Sequence, residues 1–126
     1  MVTWSAKRNL LDSSGKIKIH SKNDKIGVYK IYLNMNTIPY PNRLGNLIYI
    51  GKSESRSVYK RLNDYLNTSI TSNPSLTNYI LSERYDIKVE ITNCNKEERC
   101  QKIEKDELRK HMKKYGSLPI CNRKNA

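Results

Sequence analysis

The chain has 126 residues, the size of one ordinary domain, and sets 24 Lys plus Arg against 12 Asp plus Glu for a formal charge of +12. Only 37% of its residues are hydrophobic and no apolar run approaches the ~20 residues that span a bilayer, which argues against a membrane protein. A twofold excess of base is more than solubility requires, so the expectation is an intracellular, soluble protein with a polyanionic partner, nucleic acid foremost.

The first 25 residues read as a basic N-terminal arm, without the apolar segment of a secretory leader, in which "KIKIH" could form a short strand. Residues 26–126 read as the domain proper. "IGVYKIYL" and "LIYIG" are rich in β-branched and aromatic residues and predict two strands. The connection between them holds Pro39, Pro41 and Gly45, and an antiparallel pairing is the simplest way to close it. Between Lys7 and Lys52, a stretch containing both segments, nine basic side chains face two acids, Asp12 and Asp24.

From Ser55 the period changes: Val58, Leu62, Tyr65 and Leu66 mark one face of a helix, with Arg61 and Tyr65 one turn apart. "NPSLTNYIL" predicts a second helix, capped by Asn73 with Pro74 at its first position. "YDIKVEIT" alternates, with Tyr85, Ile87, Val89 and Ile91 on one face, as a half-buried third strand does. A last helix is expected from Asn95, paired with Glu98 in a capping box, to Tyr115, with Gly116 closing it. Its inward half carries Cys100, Ile103, Glu104, Glu107, Leu108, His111 and Tyr115, where His111 is expected to partner Glu107 or Glu104. The fold class is α+β, a three-stranded antiparallel sheet flanked by helices. Cys94, Cys100 and Cys121 lack paired C-x-x-C spacing, so reduced thiols and no zinc site are expected.

Taken singly, the polar residues have ordinary explanations. Tyrosines commonly pack in strands, and with nine Tyr and no Phe some must be core aromatics here, Tyr32, Tyr79 and Tyr85 among them. Arg61 and Lys52 alone would be solvated surface groups and Asn122 a turn former.

Together they form a pattern. "GVY" and "YIG" on consecutive strands, Arg61 on the following helix, a glutamate on a later helix and Asn122 after Pro119 resemble the GIY-YIG nuclease family over Ile26 to Lys124. The resemblance implies a GIY-YIG-like domain that hydrolyses phosphodiester bonds in DNA with one divalent ion, Mg2+ or Mn2+, held by the glutamate and water. Such chemistry needs a proton acceptor for the attacking water, positive charge on the phosphorane and a Lewis acid beside the departing oxygen. By similarity, Tyr29 is the general base, Tyr49 hydrogen bonds the substrate or the water, and Arg61 reaches a nonbridging phosphate oxygen. Lys52 supplies charge beside the phenols, Tyr65 completes their hydrogen bonds, Asn122 orients the network or the phosphate, and Gly27 and Gly51 leave room for DNA. Glu104 is favoured over Glu107 as the metal ligand. Arg56, in the long "SESRS" loop, rivals Arg61, but "KRLNDYL" keeps the family's spacing of arginine and aromatic. Specificity would come from the arm, the 34–46 loop, a homodimer or a partner protein. The alternative is a non-cleaving nucleic-acid-binding module of the same fold.

Overall fold

The computed structural model describes residues 2–18 and 25–122. Its organising element is the strand β2 (Gly27–Leu33), of whose seven residues only Lys30 is not buried. That explains the imperfect alternation of "GVYKIYL": a central strand covered on both faces needs apolar residues at every position. β2 pairs antiparallel with β5 (Leu47–Ser53) on one side and with β6 (Ile87–Asn93) on the other. A two-residue strand, β1 (Arg8–Asn9), adds to β6, so the sheet has four strands in the order β1-β6-β2-β5.

The three-stranded expectation is therefore corrected by one strand. Arg8 and Asn9 have none of the apolar alternation that marks a strand in sequence; they are fixed by backbone pairing to Val89 and Lys88. Leu10, Leu11 and Ile17, from the segment expected to be an appended arm, are buried in the larger core cluster. Within "KIKIH", Ile17 bridges Leu11; Ile19 and His20 lie outside the described residues. The connection after β2 folds into a small ribbon of β3 (Ile38–Pro39) and β4 (Leu44–Gly45).

Helices cover both faces. α1 (Val58–Asp64) and α2 (Pro74–Glu83) pack Val58, Leu62, Leu76 and Ile80 with Tyr29, Ile31, Ile87 and Val89. α3 (Glu97–Tyr115) packs Cys100 and Ile103 against Val28 and Ile50 on the opposite face. Each such aliphatic side chain, fully buried, stabilises the fold by roughly 1.5–3 kcal/mol. The caps explain the limits of the helices. The Asn73 side chain accepts from the Leu76 amide with Pro74 just inside, and Gly116, at φ 85°, closes α3 in the left-handed region that glycine enters freely. The expected capping box does not form: α3 begins at Glu97, and its cap residue is Lys96, with no side-chain cap bond.

Two further expectations are overturned. Cys94, just after β6, and Cys100, in the first turn of α3, have Cα atoms 5.5 Å apart and pair as a disulfide; the turn between the two elements brings together two residues whose sequence spacing matches no redox motif. Cys121 remains a buried free thiol that burial pushes up to about 11. Tyr85 stands 54% exposed on a 3-10 turn (Arg84–Asp86) that precedes β6, so the strand begins at Ile87 rather than at Tyr85. Tyr32 is buried and Tyr79 packs half-buried against the core as expected, while the fully buried aromatics are Tyr29 and Tyr65. Among the described residues no helix is long and apolar enough to cross a membrane.

Candidate active site

The register of β2 and β5 sets two phenols on one face of the sheet. Tyr29 lies opposite Gly51 and Ile31 opposite Tyr49, so the tyrosines are diagonal neighbours with ring centroids 6.1 Å apart. Gly51 makes this possible: a Cβ there would stand 2.5 Å from Tyr49 Cε2 and 2.8 Å from Tyr29 Cε2. Only hydrogen fits between the two rings. Gly27 has a different reason, since its Cβ would meet the Thr92 carbonyl oxygen at 2.5 Å and Val58 at 3.1 Å. It admits β6 and α1, which corrects the expectation that it opens space for DNA.

Tyr65, at the end of α1, completes a three-phenol cluster. Its hydroxyl lies 2.7 Å from the Tyr29 hydroxyl and 3.3 Å from that of Tyr49. Burial, then the neighbouring phenols, push Tyr29 well above its usual 10.0, with Arg61 the opposing influence. Tyr49 is raised for the same reasons. Tyr29 has no exposed surface, so the role expected for it, taking a proton from water, needs a relay. Tyr49 is half-buried and is the member of the cluster with solvent-facing surface.

Arg61 connects this cluster to a cavity of about 330 Å³ lined by Lys52, Ser53, Glu54, Ser55, Arg56, Arg61 and Glu104. Its guanidinium carbon lies 5.5 Å from the Tyr65 ring centroid, and Nη2 donates to Ser72 Oγ at 3.3 Å. The cavity opens where β5, the loop after it, α1 and α3 meet. Lys52 Nζ lies 3.3 Å from Glu104 Oε1 and 3.9 Å from Glu54 Oε1. Three cations and two carboxylates thus surround a space in which a phosphate could lie. Arg56, the rival arginine, lines the cavity but is paired to Asp64, an acid on α1 that makes Arg56 a loop anchor.

The two glutamates separate. Glu104 lines this cavity, whereas Glu107 pairs with Lys30 and, at 3.0 Å, with Lys110 beside a different cavity. Burial works against the Glu107 charge, but the lysine hydrogen bonds outweigh it and hold the carboxyl below its ordinary value. His111 joins neither glutamate. Its Nδ1 bonds the Ser117 carbonyl at 2.7 Å, and its ring stacks on Tyr115 at 4.4 Å.

Asn122 departs from its expected role. Its Oδ1 accepts from the Ile50 amide at 2.9 Å and its Nδ2 donates to the Ile50 carbonyl at 2.8 Å, so the side chain is occupied by the outer edge of β5 and positions the strand that carries Tyr49 and Lys52. Glu54, Ser53 and Ser55 were not singled out from sequence. For Glu54 a signal was there: it lies two residues after Lys52, directly beyond the strand's end.

Among the described residues no group of three or more His, Cys, Asp or Glu side chains could cage a metal. A single carboxylate does suit Mg2+, which retains several waters and commonly takes one or two protein oxygens together with substrate phosphates. Comparison with protein-family models, with curated proteins and with solved structures finds no match.

Proposed function

We infer that the chain is a metal-dependent DNA endonuclease of the GIY-YIG type. The observation that carries this reading is the cavity in which Arg61, Lys52 and Glu104 meet while Arg61 also stands against the Tyr29–Tyr49–Tyr65 cluster. Residues distant in sequence supply the cation, carboxylate and phenol types that phosphodiester hydrolysis needs. The net charge of +12 supports a polyanionic substrate.

In this reading Arg61 binds a nonbridging oxygen of the scissile phosphate through its planar fork of donors, and Ser72 holds the guanidinium in place. Lys52 adds charge from the strand side. Glu104 would hold a divalent ion, which when bound supplies Lewis acidity to the departing oxygen. Tyr49 orients the attacking water by accepting a hydrogen bond from it, Tyr65 holds the Tyr49 hydroxyl from behind and is itself bonded to Tyr29, and the water's proton is lost to solvent through the open cavity as its oxygen attacks phosphorus. Burial raises Tyr29 and Tyr49, so both are neutral at pH 7 and serve as hydrogen-bond partners, while the positive charge gathered at the site eases the water's deprotonation.

The second reading is a module of the same fold that binds nucleic acid without cutting it. The Lys52–Glu104 contact favours it, since an ammonium already occupies the carboxylate needed for the ion. Plasmid nicking in Mg2+ or Mn2+ decides between them. Nicking by the wild type and its loss in Glu104→Gln and Arg61→Ala is the expected result. Binding without nicking in either metal overturns the enzyme reading in favour of the module. One active site per chain should give nicks; a homodimer or partner protein would be needed for paired cuts.

A further inference from the structure

A second cavity, about 290 Å³, opens on the α3 face of the sheet and has no part in the chemistry above. Lys30, Lys110 and Lys114 line it, Tyr32 and Tyr115 contribute walls, and His111 is part of its lining. Glu107 is its one carboxylate and is shared by Lys30 and Lys110, so positive charge is left over. Lys114 has no carboxylate partner among the described residues; its Nζ stands 5.5 Å from the Tyr115 ring centroid. His111 is 4% exposed. A carbonyl can only accept, so Nδ1 carries the proton it gives Ser117, and Nε2 is left as a lone-pair acceptor. That nitrogen is the buried side-chain polar atom without a partner among the described residues.

Glu104, Glu107, His111 and Lys114 fall along one stripe of α3. From Glu104 to His111 the helix rises about 10 Å, the axial length of about three nucleotides of one strand at roughly 3.4 Å each. We propose that this cavity is a second nucleic-acid subsite, holding a nucleotide about three positions from the scissile phosphate. Lys110 and Lys114 contact its phosphates, and the edge of its base turns toward His111, where, once the wall covering the buried Nε2 yields, an exocyclic amino group gives that nitrogen the donor it lacks. The placement relative to a scissile phosphate rests on the nuclease reading; the binding itself does not.

The test uses the wild-type chain in excess chelator, so that nothing is cut, titrated with 5′-phosphorylated single-stranded DNA of about four and about eight nucleotides, the lower range of known single-strand site sizes. Nuclear magnetic resonance follows the His111 ring nitrogens and the Tyr115 ring, and fluorescence anisotropy follows affinity against salt. The expected result is a shift of the His111 Nε2 signal on binding. Lys110→Ala with Lys114→Ala should then lower the salt slope by about 0.7 per lysine, the single-strand value, with circular dichroism unchanged. Binding that leaves the His111 and Tyr115 signals unmoved overturns the subsite, even if the protein nicks plasmid. Moved signals without nicking in Mg2+ or Mn2+ keep the subsite and overturn the nuclease. No binding of either oligonucleotide overturns the subsite alone, and plasmid nicking still decides the nuclease reading.

Discussion

Gly51 shows how one hydrogen atom governs the candidate site. Gly51→Ala puts a methyl group into a gap bounded at 2.5 Å and 2.8 Å by two rings that are themselves packed, so the rings must move. Overpacking of this kind costs about 1–3 kcal/mol, and urea denaturation should show that loss together with a change in near-ultraviolet circular dichroism from the tyrosines. Unchanged stability would mean that the two rings are not held as described. The phenols make a second prediction. Tyr29, Tyr32 and Tyr49 are all raised, chiefly by burial. A folded-state value above the unfolded one, near 10.0, gives stability that is fully present below pH 10 and is lost as pH rises beyond it. Ultraviolet titration should therefore find that these three of the nine tyrosines ionise only as the protein unfolds. Nine phenols ionising near pH 10 with native circular dichroism would contradict it.

At the level of elements, the short 3-10 turn Ile120–Asn122 has more influence than its length suggests. Its Asn122 amide fastens β5 through both polar groups of the Ile50 backbone. Asn122→Ala removes both bonds and should cost about 1–3 kcal/mol, at roughly 0.5–1.5 each. Asn122→Asp should cost at least as much at pH 7, because a carboxylate would face the Ile50 carbonyl; thermal melts of the two variants check the order. This role was not legible in the sequence, where Asn122 has only the local signature of a turn. The helix ends were readable at Asn73, Pro74 and Gly116 because those caps rest on local geometry. The start of α3 was not, since its cap residue, Lys96, makes no side-chain cap bond and so leaves no local signature. β1 escaped notice for a similar reason: two residues carry no period, and only their partner strand makes them a strand.

Over the whole molecule, charge is the property most directly legible in the composition and the one that binding should report. If Arg61 and Lys52 face a phosphate, the affinity for duplex DNA should fall steeply with salt, and Arg61→Ala should lower the slope of log K against log salt by about 0.9. Equal slopes for variant and wild type would put Arg61 outside the interface. Lys52, Arg61 and Glu104 of the candidate cavity were readable because each has a chemical type and an order along the chain, whereas Ser53, Glu54 and Ser55 were not singled out. The separation of the two glutamates was not readable either: Glu104 and Glu107 are one turn apart on α3 and face different cavities because Lys52 and Lys30 come from different strands of the sheet beneath. β5 is also the last strand on its side of the sheet, and an unpaired strand is a template on which another chain can add. By occupying Ile50, Asn122 acts as a one-residue counterfeit of a neighbouring strand. A single amide thus covers part of an edge on which another copy of the chain could otherwise add, while the far end of the same strand lines the candidate cavity.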